Sequence, residues 1–201
     1  VVTDKREIKC DTVILATRTK PEVELARKAG LKIGRLGGIE VDKGMLSSVS
    51  DVYAYGDCVE TEDLVSGEKA LNLLWRNAKQ QAEAAANNCL GGHQKYPGSI
   101  NVTGVDIFDV QGVSIGITAS SIAQEANKLE IIEKSRGLDY LRLIIYDQVL
   151  VGVQAINKIK ELGSLLSVIL RKEGLKLPEK GSSIFPYLLQ RHRLSQYLSR
   201  T

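Results

Sequence analysis

At 201 residues the chain is long enough for one large domain or two small ones, and its 43% hydrophobic and 25% charged residues are ordinary for a globular protein. Its net charge of +3 comes without the dense basic stripe and interleaved aromatics that a nucleic-acid surface needs. No apolar run approaches the roughly 18 residues of a membrane span, and no signal peptide opens the chain. Cys10, Cys58 and Cys89 are widely separated and form no C-x-x-C pair, which points to neither a zinc site nor a local dithiol. Such cysteine usage fits a reducing compartment, and a cytoplasmic protein is the expectation.

The opening, VVTDKREIKCDTVILA, reads as a chain entered in mid-protein, at the turn before a strand. Glu7 to Ala16 is β-rich and predicts a buried strand over Thr12 to Ala16. Pro21 then opens a short helix in PEVELARKAG, where proline suits the first turn and Gly30 the C-terminal cap. Ile39 to Asp42 predicts a short strand, VYAYG a second one, and VETEDLVSGEK a loop. The stretch LNLLWRNAKQQAEAAANNCLGG is alanine-rich, free of internal proline and glycine, and closed by Gly91-Gly92, so it predicts a helix.

After GGHQKYPGS the texture changes. INVTGVDIFDVQGVSIGIT is β-branched and alternating, as in strands of an antiparallel sheet, and SSIAQEANK predicts a short serine-capped helix. KLEIIEKS, LDYLRLIIYDQ and VLVGVQAIN continue as a meander, the last two joined by a tight turn near Asp147-Gln148. IKELGSLLSVILRKEG is an amphipathic helix with Leu162, Leu165, Leu166, Ile169 and Leu170 on one face, suited to core or dimer packing rather than a membrane. The tail beyond it is basic, with Lys176, Lys180, Arg191, Arg193 and Arg200, and a solvated extension is expected, one turn docking around Tyr187 to Leu189.

The stretch DVYAYGDCVE poses the functional question, because a strand breaks off at Gly56-Asp57. In open α/β folds ligands lie beyond the carboxyl ends of strands. A glycine there lets backbone approach a ligand, and a carboxylate can accept hydrogen bonds from the hydroxyls of a sugar or ribityl chain. Taken alone, the two residues are accounted for more readily by a plain strand-end turn.

The order of the surrounding residues says more. Thr12-Val13-Ile14-Leu15-Ala16-Thr17 with Pro21 close behind, then Ile39-Glu40-Val41-Asp42, then Asp51-Val52-Tyr53-Ala54-Tyr55-Gly56-Asp57-Cys58, resembles the second half of the FAD-binding domain in the pyridine nucleotide-disulfide oxidoreductase superfamily. The helical stretch is similar to the W-x-x-A-x-x-Q-G-x-x-A-A-x-N-x-x-G run of the NADH oxidase, nitrite reductase and rubredoxin reductase kinds. The resemblance implies that Asp57 binds a ribityl hydroxyl of FAD while Gly56 permits the approach. It also implies that Trp75, Arg76 and Asn77 lie where the helix start faces the flavin's pyrimidine edge. Unpaired N–H groups and the positive dipole end there favour negative charge on the reduced ring. Arg18 and Ala82 stand where that family usually has glycine.

The same resemblance implies the rest of the expectation. The fold class is α/β plus α+β: the C-terminal portion of a Rossmann-like FAD domain over 1–96, an antiparallel interface domain over 97–175, and a basic tail over 176–201. No G-x-G-x-x-G is present, since Gly34, Gly37 and Gly38 have the wrong spacing and precede a strand. The chain thus reads as the C-terminal half of an enzyme that passes hydride from NAD(P)H through FAD to an acceptor, with NAD(P)H held by the N-terminal half. No catalytic or metal-binding residue is assigned within it. His93 and His192 are not followed by proline, unlike the acid–base histidine of dithiol-using members, and both read as surface residues. Cys58 reads as structural, and Cys10 and Cys89 as small packing residues. The partners implied are the N-terminal half and a second copy, with neither nucleic acid nor membrane; alone, the chain is expected to be inactive. The rival reading is a non-catalytic dimerisation or interaction module that keeps the interface domain.

Overall fold

The computed structural model describes residues 1–17, 19–157, 160, 162–172 and 174, without the side chains of 123–126. Arg18, His192 and the basic tail lie outside the described residues.

The first core forms around residues 23–96. Helix α1, Glu24–Lys28, is only one and a half turns long and follows Pro21 by three residues. It ends as glycine permits: Gly30 takes φ +77°, its N–H donates to the Arg27 carbonyl, and Leu31 N–H reaches back to Ala26. Strand β1, Ile39–Glu40, pairs in parallel with β2, Val59–Glu62, which pairs antiparallel with β3, Lys69–Ala70. Helix α2, Trp75–Cys89, closes this unit with Gly91 at φ +86° and the Gly92 N–H returned to the Asn87 carbonyl. Val23, Ala26, Ile39, Val41, Met45, Ala54, Val59, Ala84, Ala85 and Tyr96 bury together between these pieces.

Three local expectations are corrected here. Thr12 to Ala16 joins no ladder, and Val13, Ile14 and Leu15 are 57, 86 and 84% exposed. An apolar β-branched run becomes a strand only when a neighbouring strand takes its N–H and C=O groups, and none does so among the described residues. The VYAYG run reduces to a single bridge, Tyr53 opposite Leu46, with Ala54 N–H donating to Met45. The supposed loop VETEDLVSGEK carries β2 and the start of β3. Two of its acids misled because they are buried acceptors. Glu60 takes the N–H groups of Leu36 and Gly38 at 2.6 and 3.0 Å, and Asp63 takes those of Val65 and Ser66.

The second core lies under an antiparallel sheet of five strands in the order β4-β5-β8-β7-β6. These are β4 Val102–Ile107, β5 Val110–Gly116, β6 Leu129–Arg136, β7 Asp139–Tyr146 and β8 Val149–Ile156. Asp147 and Gln148 both take positive φ, the geometry that a two-residue hairpin turn requires. Alternation puts Ile115, Leu141, Leu143, Val153 and Ala155 on one face, covered by α3, Leu162–Arg171. In α3 the buried residues are Leu162, Leu165, Val168 and Ile169, so Val168 replaces Leu170, which is 43% exposed. The opposite face carries Glu133, Arg142 and Gln154 side by side in register. Arg142 donates to Glu133 and Gln154, and its hydrogen bond is the main reason the Glu133 carboxyl titrates below the usual range. The SSIAQEANK segment is a 3-10 helix, Ala119–Lys128, rather than an α-helix. Gly152 belongs where it is, because a methyl group there would meet the Ile117 carbonyl.

Candidate functional site

Gly56 and Asp57 form the turn between the bridged Tyr53 and β2. Gly56 has φ +87°, where an L side chain is strained, and the space its Cβ would occupy is open. Asp57 is exposed and makes no hydrogen bond or ion pair among the described residues. Ile39 N–H donates to the Cys58 carbonyl at 2.7 Å, which fastens the turn to β1. The Cys58 thiol is half-buried and donates to the Tyr55 carbonyl at 3.3 Å. Burial pushes its pKa up, as the nearby Asp57 charge also does, and its own backbone hydrogen bond only partly offsets this. Cys10 and Cys89 are exposed, so the expectation that they pack as small hydrophobes is corrected.

Helix α2 begins at Trp75. Its N-cap, Leu74, has no side chain able to cap, so the N–H groups of Trp75, Arg76 and Asn77 lack an acceptor among the described residues. Trp75 is 80% exposed with Lys79 Nζ 5.8 Å from its ring centroid, and Arg76 is exposed. The Asn77 side chain points the other way. It is 2% exposed, donates to the carbonyls of Asn72 and Ile100 at 3.1 Å each, and accepts the Ile100 N–H. Only the main chain of Asn77 faces the helix start.

Sequence reasoning passed over Gln81. Its side-chain carbonyl accepts the Gly56 N–H at 2.8 Å and joins the turn to α2. The signal was present as the glutamine of the helical run quoted above. Ala82 is half-buried.

Two hollows of about 280 Å³ lie elsewhere, one between Lys43, Tyr53, Asn88 and His93, the other between Val41, Thr61, Lys69 and Tyr96. Neither borders Gly56, Asp57 or Trp75. His93 is exposed. No group of His, Cys, Asp or Glu among the described residues could hold a metal ion. No helix among them is long and apolar enough to cross a membrane.

The pyridine nucleotide-disulphide oxidoreductase family pattern matches residues 1–87. An NADH oxidase of Methanocaldococcus jannaschii is 39% identical over 121 residues, 60% of this chain and 27% of that protein. A NAD-dependent persulfide reductase from A. fulgidus superposes with a TM-score of 0.71 at 31% identity, over 84% of this chain and 35% of that one. An FAD-dependent pyridine nucleotide-disulphide oxidoreductase from Desulfovibrio vulgaris gives a TM-score of 0.80 at 24% identity, over 98% of this chain and 51% of that one, a likeness of fold. The chain therefore spans about a quarter to a half of the length of these proteins. The Gly-Asp turn, the helix joined to it and these likenesses together make the chain similar, over residues 1–87, to the pyridine nucleotide-disulphide oxidoreductases.

Proposed function

We propose that the chain supplies one wall of the FAD site in an NAD(P)H-dependent flavoprotein oxidoreductase of the NADH oxidase kind. The observation that carries this is Asp57, an exposed carboxylate without a partner among the described residues, held on a turn whose Gly56 leaves open space beside it. Asp57 is suited to accept from ribityl hydroxyls. The unpaired N–H groups at the start of α2 are suited to donate to a ring oxygen and to favour negative charge there. When bound, FAD supplies the hydride acceptor between nicotinamide and the final electron acceptor. The chain's own part is to bind and orient.

This reading keeps residues 1–96 as the FAD-side portion and 97–175 as a dimerisation domain, a division supported by the two separate cores. An N-terminal half carrying the nucleotide fingerprints would complete the cradle. The chain alone is expected to stay colourless with FAD, and a mixture with that half to show flavin absorbance. A mixture that stays colourless would end the proposal and favour the non-catalytic module, which no likeness found here favours. Exposed Ile107, Phe108 and Leu138 at the turns of the second sheet are the apolar surface that a second copy would cover. Sedimentation should accordingly report a dimer, and a monomer at high concentration would remove this part of the reading.

A further inference from the structure

We infer that Gln81 is a positioning residue that sets where the Asp57 carboxylate stands relative to the free N–H groups at the start of α2. The inference rests on the flavin-site reading and adds to it a side chain that touches no ligand.

The buried face of α2 carries three carboxamides, Asn77, Gln81 and Asn88, in one stripe at helical spacing. Each pins a different stretch of chain. Asn77 holds the backbone at Ile100. Asn88 donates to the Gly44 and Gln94 carbonyls at 2.9 and 2.8 Å and accepts the Gln94 N–H. Gln81, 3% exposed, alone reaches the Gly-Asp turn. Polar side chains are unusual choices for the inner stripe of an alanine-rich helix, and alanine or leucine would pack there at less desolvation cost. What the amide adds is the bond to Gly56.

That bond fixes a distance. Gln81 lies six residues after Trp75, about 9 Å along the helix axis. Anchoring Gly56 at that height holds Asp57 at a set distance from the helix start, so the polyol and ring contacts stay in register. The turn has a second anchor at Cys58 but no other hydrogen bond to α2 among the described residues. The Tyr96 hydroxyl is buried without a hydrogen-bond partner among the described residues. Burial is the main cause of its raised pKa. The carbonyl end of Gln81 is the end that meets the turn.

Amide hydrogen exchange of the whole chain tests this without any cofactor. Gln81→Met, of similar volume but without the acceptor, is expected to speed Gly56 exchange about five- to tenfold relative to the amides of β2, as one lost hydrogen bond implies. Gln81→Glu keeps an oxygen for Gly56 and is expected to restore most of the protection. With the N-terminal half present, Gln81→Met is expected to bind FAD about tenfold more weakly, the cost of a misplaced carboxylate. Gly56 exchange at the parent rate, or β2 amides accelerated as much as Gly56, would overturn the inference. So would fast Gly56 exchange with parent FAD affinity, which would leave Gln81 a purely structural clamp. A parent mixture that holds no FAD, with Gly56 still released in Gln81→Met, would instead uphold the clamp and overturn the flavin reading.

Discussion

Asp57→Ala, mixed with the N-terminal half, is expected to bind FAD about 10- to 100-fold more weakly than the parent, the range set by a charge-assisted hydrogen bond of about 1.5–3 kcal/mol. Its stability is expected to move by no more than about 0.5 kcal/mol, because the side chain is exposed and supports nothing else among the described residues. This pairing of a large binding loss with an intact fold is what separates a ligand-facing carboxylate from a turn residue. Asp57→Asn keeps an acceptor oxygen but loses the charge, so it should fall between the two. Titration followed by flavin fluorescence quenching reads all three proteins. Parent affinity in Asp57→Ala would return Gly56-Asp57 to the plain turn that the two residues alone suggested.

The second large effect is on the fold. Leu150→Ala is expected to cost about 2–5 kcal/mol, a large part of the 5–15 kcal/mol that typically holds a domain together. Leu150 is fully buried near the start of β8, in one cluster with Leu143, Val153, Leu165 and Ile169. Truncation leaves a cavity between the sheet and α3 that neither a pleated strand nor a helix can collapse to fill. The comparison is Leu138→Ala at the turn between β6 and β7, where the side chain is 74% exposed and the change should stay within about 0.5 kcal/mol. Urea unfolding followed by circular dichroism measures both, and equal midpoints would mean that Leu150 does not lie in the second core. The first core shares no buried residue with the second, so the Gly56–Gln81 bond should outlast the loss.

What could be read from the sequence was whatever depends on near neighbours in the chain. Gly30 and Gly91 end their helices because a left-handed residue is needed there and glycine takes it without strain. Asp147-Gln148 turns a hairpin, and the runs on either side of it were legible as strands of a meander. The Gly-Asp turn and the start of the following helix were legible as a pair, because their order and spacing are carried by the sequence itself.

Tertiary structure decided the rest, and in each case the reason is a partner distant in the chain. Val13, Ile14 and Leu15 have the composition of a strand, yet strand formation needs a neighbour's hydrogen bonds, which local sequence cannot supply. Glu60 and Asp63 look like loop acids, yet they are buried because backbone N–H groups from Leu36, Gly38, Val65 and Ser66 converge on them. Asn77 reads as a residue facing the site and turns out to tie the helix to Ile100. Gln81 reads as one more polar helix residue, and only the fold brings Gly56, 25 positions away, to its carbonyl oxygen. Sequence determines which residues can cap, turn or alternate; a buried polar group takes its meaning from the chain that folds against it, because its free energy depends on whether a partner is there.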